Sequence, residues 1–213
     1  FYMLGLYLAV TLAPKLGTWI GGPLGFWTGI LAAALIVAAL GALIEVTLLR
    51  RLYGAPELYQ LLATFALLLV INDAALFLWG PEDMLGPRAP GLSGSVMLLG
   101  RRLPQYDIFL ALIGPAVLIG LHLLLARTRF GRLIRAATQD REMVAALGIN
   151  EALLFTAVFA LGAGIAGLGG ALQMAREPAS LTLDLSVLGD AFVVVVVGGM
   201  GSIRGAYLAA VLV

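Results

Sequence analysis

The run Ala152–Ala175 holds 24 residues without a charge. A bilayer core is crossed by roughly 20 apolar residues in helical form. Phe26–Ile44 and Ile108–Ala126 are each uncharged over 19 residues, and Leu58–Trp79 is interrupted only by Asn72-Asp73. Phe1–Ala13 is apolar as well, and Val187–Val197 and Ala206–Val213 flank the cluster Gly198-Gly199-Met200-Gly201-Ser202. The expectation is an all-α polytopic membrane helix bundle of about six segments, the last broken by glycines. The composition agrees: 12% of residues are charged and the mean hydropathy is +1.04, whereas a soluble domain is about a quarter charged.

The same totals exclude several chemistries. With no Cys and only His122, disulfides, thiolate metal sites and multi-His metal sites are ruled out. The only lysine, Lys15, stands in Pro14-Lys15-Leu16. A phosphate-cradling loop needs Gly-Lys-Ser/Thr, so this chain is not itself a P-loop ATPase. A net charge of +1 gives no sign of nucleic acid. Phe1 stands where an initiator Met would be, and both ends fall within apolar helix. We therefore expect one transmembrane domain over 1–213 that lacks both ends of a longer protein.

One stretch does not belong in hydrocarbon. GRLIRAATQDREMVAALGIN, residues 131–150, contains Arg135, Asp140, Arg141 and Glu142. Each Arg or Asp at a helix centre costs about 2.5–3.5 kcal/mol, and several together about 10 kcal/mol. Arg132, Arg135, Gln139 and Glu142 make a polar stripe at helical spacing, and Leu133, Ala136, Ala137, Val144 and Leu147 occupy much of the other side. Gly148 ends the helix. The loop Arg127–Glu151 is 25 residues long, against about 2–8 for most helix–helix links. One reading is a basic helix lying on lipid headgroups. The other is a docking element, favoured by Ala136, Ala137, Ala145 and Ala146, which permit close approach to a protein groove.

Orientation follows the short basic loops. Arg50, Arg51, Arg127, Arg129, Arg132, Arg135 and Arg141 fall on one side, and Lys15, Arg88, Arg101, Arg102 and Arg176 on the other. The richer side is expected to be cytoplasmic. The outer 80–105 loop, rich in Pro and Gly, is expected to be irregular or a short hairpin.

Polar residues within the apolar runs are candidates for a translocation path. Asn72 and Asp73 interrupt one helix. Asp73 equally suits the outer interface, and Asp190 equally suits a cap before Ala191–Val197. Thr64, in mid-helix, either lines the path or packs in the core. Gly198, Gly199, Gly201 and Ser202 break the last segment, either as a substrate-facing break of the kind transporters use or as a plain turn. Gly162, Ala166 and Gly170, and likewise Ala163, Gly167 and Ala171, recur at spacing four, a pattern that lets membrane helices pack closely.

The segment GRLIRAATQDREMVAALGIN, followed by LLFTAVFALGAGIAGLGGAL and DAFVVVVVGGMGSIRGA, resembles the permeases of the high-affinity branched-chain amino acid transporter family, membrane subunits of ABC importers. Upstream, RRLYGAPELYQLLATFALLLVINDAALFLWGP is similar to that family's preceding cytoplasmic loop and helix. The likeness covers most of the chain and is strongest over Gly131–Gly205; many members carry Pro where Arg204 stands. The resemblance implies a multi-pass subunit in the inner membrane of a bacterium that catalyses no covalent chemistry. It implies that residues 127–151 form the coupling loop, with Arg135–Leu147 a single coupling helix in a groove of the ATPase subunit. Arg135, Gln139, Asp140, Arg141, Glu142, Ala145 and Ala146 would make the contacts, and Gly148 would be a hinge or cap. No cofactor would bind this chain; ATP and Mg would sit on the partner ATPase subunits. Further partners implied are a second related permease subunit, an extracytoplasmic substrate-binding protein, a small amino-acid substrate and membrane lipid, but no nucleic acid. Amide and urea permeases share much of the pattern. An ion-gradient-driven secondary transporter would instead want paired intramembrane carboxylates, for which the chain offers chiefly Asp73 and Asp190.

Overall fold

A computed structural model describes residues 1–98, 101–199 and 201–212; of residues 20, 22, 98, 101, 141, 142, 145, 203 and 204 only the backbone is described. The chain divides into two compact units, residues 1–91 with 152–181, and residues 92–151 with 182–213. Among the described residues four helical stretches are long and apolar enough to cross a bilayer: Pro23–Leu52, Glu57–Trp79, Gln105–Arg127 and Glu151–Gln173. They correspond to the four longest apolar runs of the sequence.

In the first unit, α1 (Tyr2–Ile20) and α2 (Gly22–Ile44) form a helical hairpin. Gly21 turns the chain at φ 102°, and Pro23 opens α2, a position where its missing N–H is no loss. A π-turn, Glu45–Leu49, continues α2 into the three-residue α3 (Arg50–Leu52). Pro56 then precedes α4 (Glu57–Trp79), which Gly80 ends at φ 84°. α8 (Glu151–Gln173) completes this unit.

Small residues set the packing here. A methyl group on Gly170 would lie 1.9 Å from the Tyr2 carbonyl oxygen, and one on Gly5 2.1 Å from that of Gly167. One on Gly41 would lie 2.5 Å from the Ala163 methyl. Backbones in membranes approach this closely only where side chains are absent. Of the two stripes on α8, Ala163, Gly167 and Ala171 are buried together with Gly170, whereas a methyl on Gly162 would meet no neighbouring element within 4 Å. Around this seam Met3, Leu6, Tyr7, Val37 and Met174 are fully buried. Tyr7 stacks at a tilt on Trp79, ring centres 5.2 Å apart.

The second unit begins with an antiparallel hairpin, β1 (Ser95–Leu98) and β2 (Arg101–Pro104), with Ser95 opposite Pro104 and Val96 opposite Leu103. Of the two forms expected for the 80–105 loop, a short hairpin is found. α5 (Gln105–Arg127) follows, then α6 (Arg129–Gln139), α7 (Arg141–Ala146), α9 (Leu183–Gly198) and α10 (Ile203–Leu212). α9 and α10 pack on each other at the glycine break, where a methyl on Gly205 would meet the Gly198 carbonyl oxygen at 1.9 Å. Most large apolar side chains of α9 are exposed, as expected of surface that meets lipid or another subunit rather than water.

Candidate functional site

The polar loop folds as two helices, not the single helix expected over Arg135–Leu147. Both sides of Asp140 have helical patterns, but Asp140 itself takes extended angles, φ −149° and ψ 101°. Its N–H still donates to the Ala136 carbonyl at 3.0 Å, closing α6. Its Oδ1 accepts the Met143 N–H at 2.9 Å, which caps α7. An aspartate in this role competes with the helix interior and starts a new helix.

α6 is fastened to the last turns of α5. Thr128 caps α6 by accepting the Gly131 N–H at 3.2 Å. A methyl on Gly131 would lie 2.0 Å from the Leu125 carbonyl oxygen, and Arg135 Nη1 donates to that same oxygen. Gly131 and Arg135, one turn apart on α6, thus both meet the Leu125 carbonyl, so α6 lies packed against the end of α5 rather than hanging from it. Ala137 and Val144 are buried, and Gln139 and Ala146 are exposed. Gly148, at φ 77°, ends α7 as the sequence suggests. The Ile149 N–H reaches back to the Val144 carbonyl at 3.4 Å, the wrapped termination that a left-handed glycine permits. The side chains of Arg141, Glu142 and Ala145 lie outside the described residues.

The path candidates divide between the units. On α4, the Thr64 hydroxyl donates to Leu61 of its own helix at 2.9 Å. Asn72 Nδ2 donates to the Leu181 carbonyl at 3.2 Å, tying α4 to the segment after α8. Asp73 is exposed. Met84 and Ala179 exchange both backbone hydrogen bonds at 3.1 and 2.8 Å, a second tie between the same stretches of chain. In the other unit Asp190 lies in the middle of α9, seven residues after its start. The alternative in which it caps that segment is therefore corrected: α9 begins at Leu183, well before the all-valine run. Gly199 and Gly201 hold positive φ, 84° and 92°. Ser202 Oγ accepts the Gly205 N–H at 3.0 Å and so caps α10. Met200 lies outside the described residues.

One polar cluster was not among the sequence candidates. Glu45 is completely buried. Its Oε2 accepts from Arg50 Nη2 at 3.2 Å and from the Thr156 hydroxyl at 2.5 Å, and the Tyr53 hydroxyl lies 3.4 Å from Oε1. The only signal in the sequence was an acidic residue five positions before an arginine at the end of an apolar run. Among the described residues no cluster of three or more His, Asp or Glu side chains could hold a metal ion.

Comparison with known proteins accounts for this architecture. The family described as "Branched-chain amino acid transport system / permease component" matches residues 1–213. The chain belongs to this family. It is 28% identical to the high-affinity branched-chain amino acid transport system permease protein BraD of Pseudomonas aeruginosa, over 99% of this chain and 71% of that protein. It is 23% identical to the corresponding permease protein LivH of Salmonella typhimurium, over 97% of this chain and 69% of that one. No solved structure matches it significantly. The permease is a multi-pass protein of the inner membrane and the membrane subunit of a transporter, rather than an enzyme.

Proposed function

We propose that the permease forms the membrane path of an ATP-driven importer and couples to its ATPase through α6 and α7. The observation that carries this reading is the fastening of α6 to α5 at Leu125, followed by the Asp140-capped α7. A push delivered to a rigidly mounted helix moves the membrane helix behind it, whereas a flexible loop would absorb it. Gln139, Asp140, Ala146 and, by position, Arg141, Glu142 and Ala145 face the ATPase in this reading. Arg135 mainly braces the mount, since its guanidinium is engaged at Leu125. ATP and Mg bind the partner ATPase subunits. An extracytoplasmic binding protein delivers branched-chain or related neutral amino acids to the outer loops, and a second permease subunit completes the pore. The substrate class is taken from the branched-chain amino acid permeases to which the chain is similar. Thr64, Asn72, Asp73, Asp190 and the break at Gly198, Gly199, Gly201 and Ser202 are the residues proposed for the path.

These 213 residues contain no Cys, so single Cys substitutions at Asp140 and Ala146 each introduce one thiol into this stretch, to be compared with the unsubstituted importer. In the full-length importer, both sites are expected to cross-link to the ATPase subunit, and leucine uptake into vesicles is expected to require ATP. Uptake at the normal rate with no cross-link from either site would return α6 and α7 to a lipid-surface role.

A further inference from the structure

The Glu45 cluster joins two stretches of chain more than a hundred residues apart, and its geometry depends on the π-turn. On an α-helix of about 3.6 residues per turn, positions five apart point about 140° from each other. Here the Arg50 N–H bonds to the Glu45 carbonyl, the five-residue spacing of a π-turn, which frequently marks functional sites. The wider turn brings the Glu45 and Arg50 side chains onto one face. There they meet the first two turns of α8: Arg50 Nη2 lies 2.6 Å from Thr156 Oγ1 and 3.3 Å from the Ala152 carbonyl oxygen.

The donors and acceptors in this cluster do not match one to one. Arg50 Nη2 carries two protons and has three acceptors within reach. The Thr156 hydroxyl carries one proton and has two acceptors, Glu45 Oε2 at 2.5 Å and the Ala152 carbonyl of its own helix at 2.8 Å. The charged acceptor is favoured. If α8 moves away, however, the hydroxyl still has Ala152, an acceptor serines and threonines in helices commonly use. Glu45 in turn keeps Arg50 and Tyr53, both from its own end of the chain. Arg50 loses its two acceptors on α8, but its side chain is 38% exposed and water can take their place, so no buried polar group is stranded. A buried ion pair shared between the two helices would be costly to open, because one charge would be stranded. This contact keeps the Glu45–Arg50 pair on one stretch of helix and spans the gap with the Thr156 hydroxyl and the half-exposed Arg50 guanidinium, so no charge is separated from its partner when it opens.

We propose that Glu45 and Thr156 are positioning residues for transport, forming a releasable latch between the α2 π-turn and the start of α8. The inference rests on the ATPase-coupling reading, because α8 is the helix that directly follows the coupling loop. The latch passes displacement of α8 to α2, and it opens and recloses once per cycle.

The test uses the full-length importer, with its ATPase and binding protein, reconstituted in liposomes and supplied with leucine. Thr156→Val keeps the shape and removes the hydroxyl; Glu45→Gln keeps the shape and removes the charge. Each is expected to lower leucine uptake by about five- to tenfold while ATP hydrolysis falls by less than about twofold, within the range of mutations that alter coupling. The ATP consumed per leucine therefore rises. Thr156→Ser restores the ratio, and the Glu45→Gln/Thr156→Val double variant is no worse than the more impaired single variant. A proportional fall in uptake and hydrolysis together with a lower thermal midpoint would make the cluster merely structural. Unchanged uptake in both single variants, with the wild type ATP-dependent, would overturn the latch alone. Wild-type uptake that proceeds without ATP would overturn the coupling reading and the latch with it.

Discussion

Replacing Gly170 by leucine is expected to abolish recovery of folded permease, while Gly162→Ala in the same helix leaves yield and thermal stability unchanged. The contrast follows from what each position faces. The obstacle at Gly170 is the Tyr2 carbonyl, a backbone atom 1.9 Å from where the first side-chain carbon would go. A flexible side chain can swing aside; a backbone moves only if α1 and α8 separate. Overpacking a well-packed core costs about 1–3 kcal/mol even where side chains yield. Separating two helices also forfeits their contacts along the seam, including the approach of Gly5 to Gly167. Native proteins hold only about 5–15 kcal/mol in total. The measurement is the amount of monodisperse permease extracted in mild detergent, followed by its thermal unfolding midpoint. Gly170→Leu protein at wild-type yield and midpoint would mean that α1 and α8 are not in contact at this point.

That contrast also marks how far the sequence could be read. Spacing-four repeats on α8 announced close helix packing, but two stripes overlapped, and nothing in the sequence said which met a neighbour. The partner helix settles it residue by residue: Gly5 meets Gly167 on one stripe, the Tyr2 carbonyl meets Gly170 on the other, and a methyl on Gly162 would meet nothing. The membrane runs themselves were legible because hydrocarbon imposes length and neutrality on any helix that crosses it. Two features of the functional regions were not legible, for opposite reasons. Asp140 looked like one more polar residue on a continuous amphipathic helix, because its role as a cap depends on backbone angles and not on the spacing of its neighbours. Glu45 and Arg50 looked unrelated, because an α-helix turns them away from each other and only the π-turn aligns them. Gly148, by contrast, was read correctly from its place after the last helical residue, since left-handed helix ends strongly favour glycine.

Placing an arginine at Ala146 is expected to reduce ATP-driven leucine uptake at least tenfold without lowering the yield of folded permease. Ala146 is exposed at the end of α7, and the exposed Met143 and Leu147 lie beside it in sequence. A permease-only fold has no reason to require alanine there. An interface does, because a small residue admits a partner backbone and a bulky charge in a desolvated contact costs more than about 1.4 kcal/mol, which is already tenfold in association. Asp140→Ala provides the companion result. It removes the cap of α7, a loss of about 1 kcal/mol, and should weaken coupling less than Ala146→Arg because α7 still has its wrapped end at Gly148. The two variants together separate surface from scaffold: if the ATPase binds this face, Ala146→Arg abolishes co-purification of the ATPase with the permease while Asp140→Ala only reduces it. Wild-type ATPase recovery and uptake from Ala146→Arg would place the docking surface elsewhere. In that event the rigid mount of α6 at Leu125 would serve topology, holding a basic helix against the headgroups.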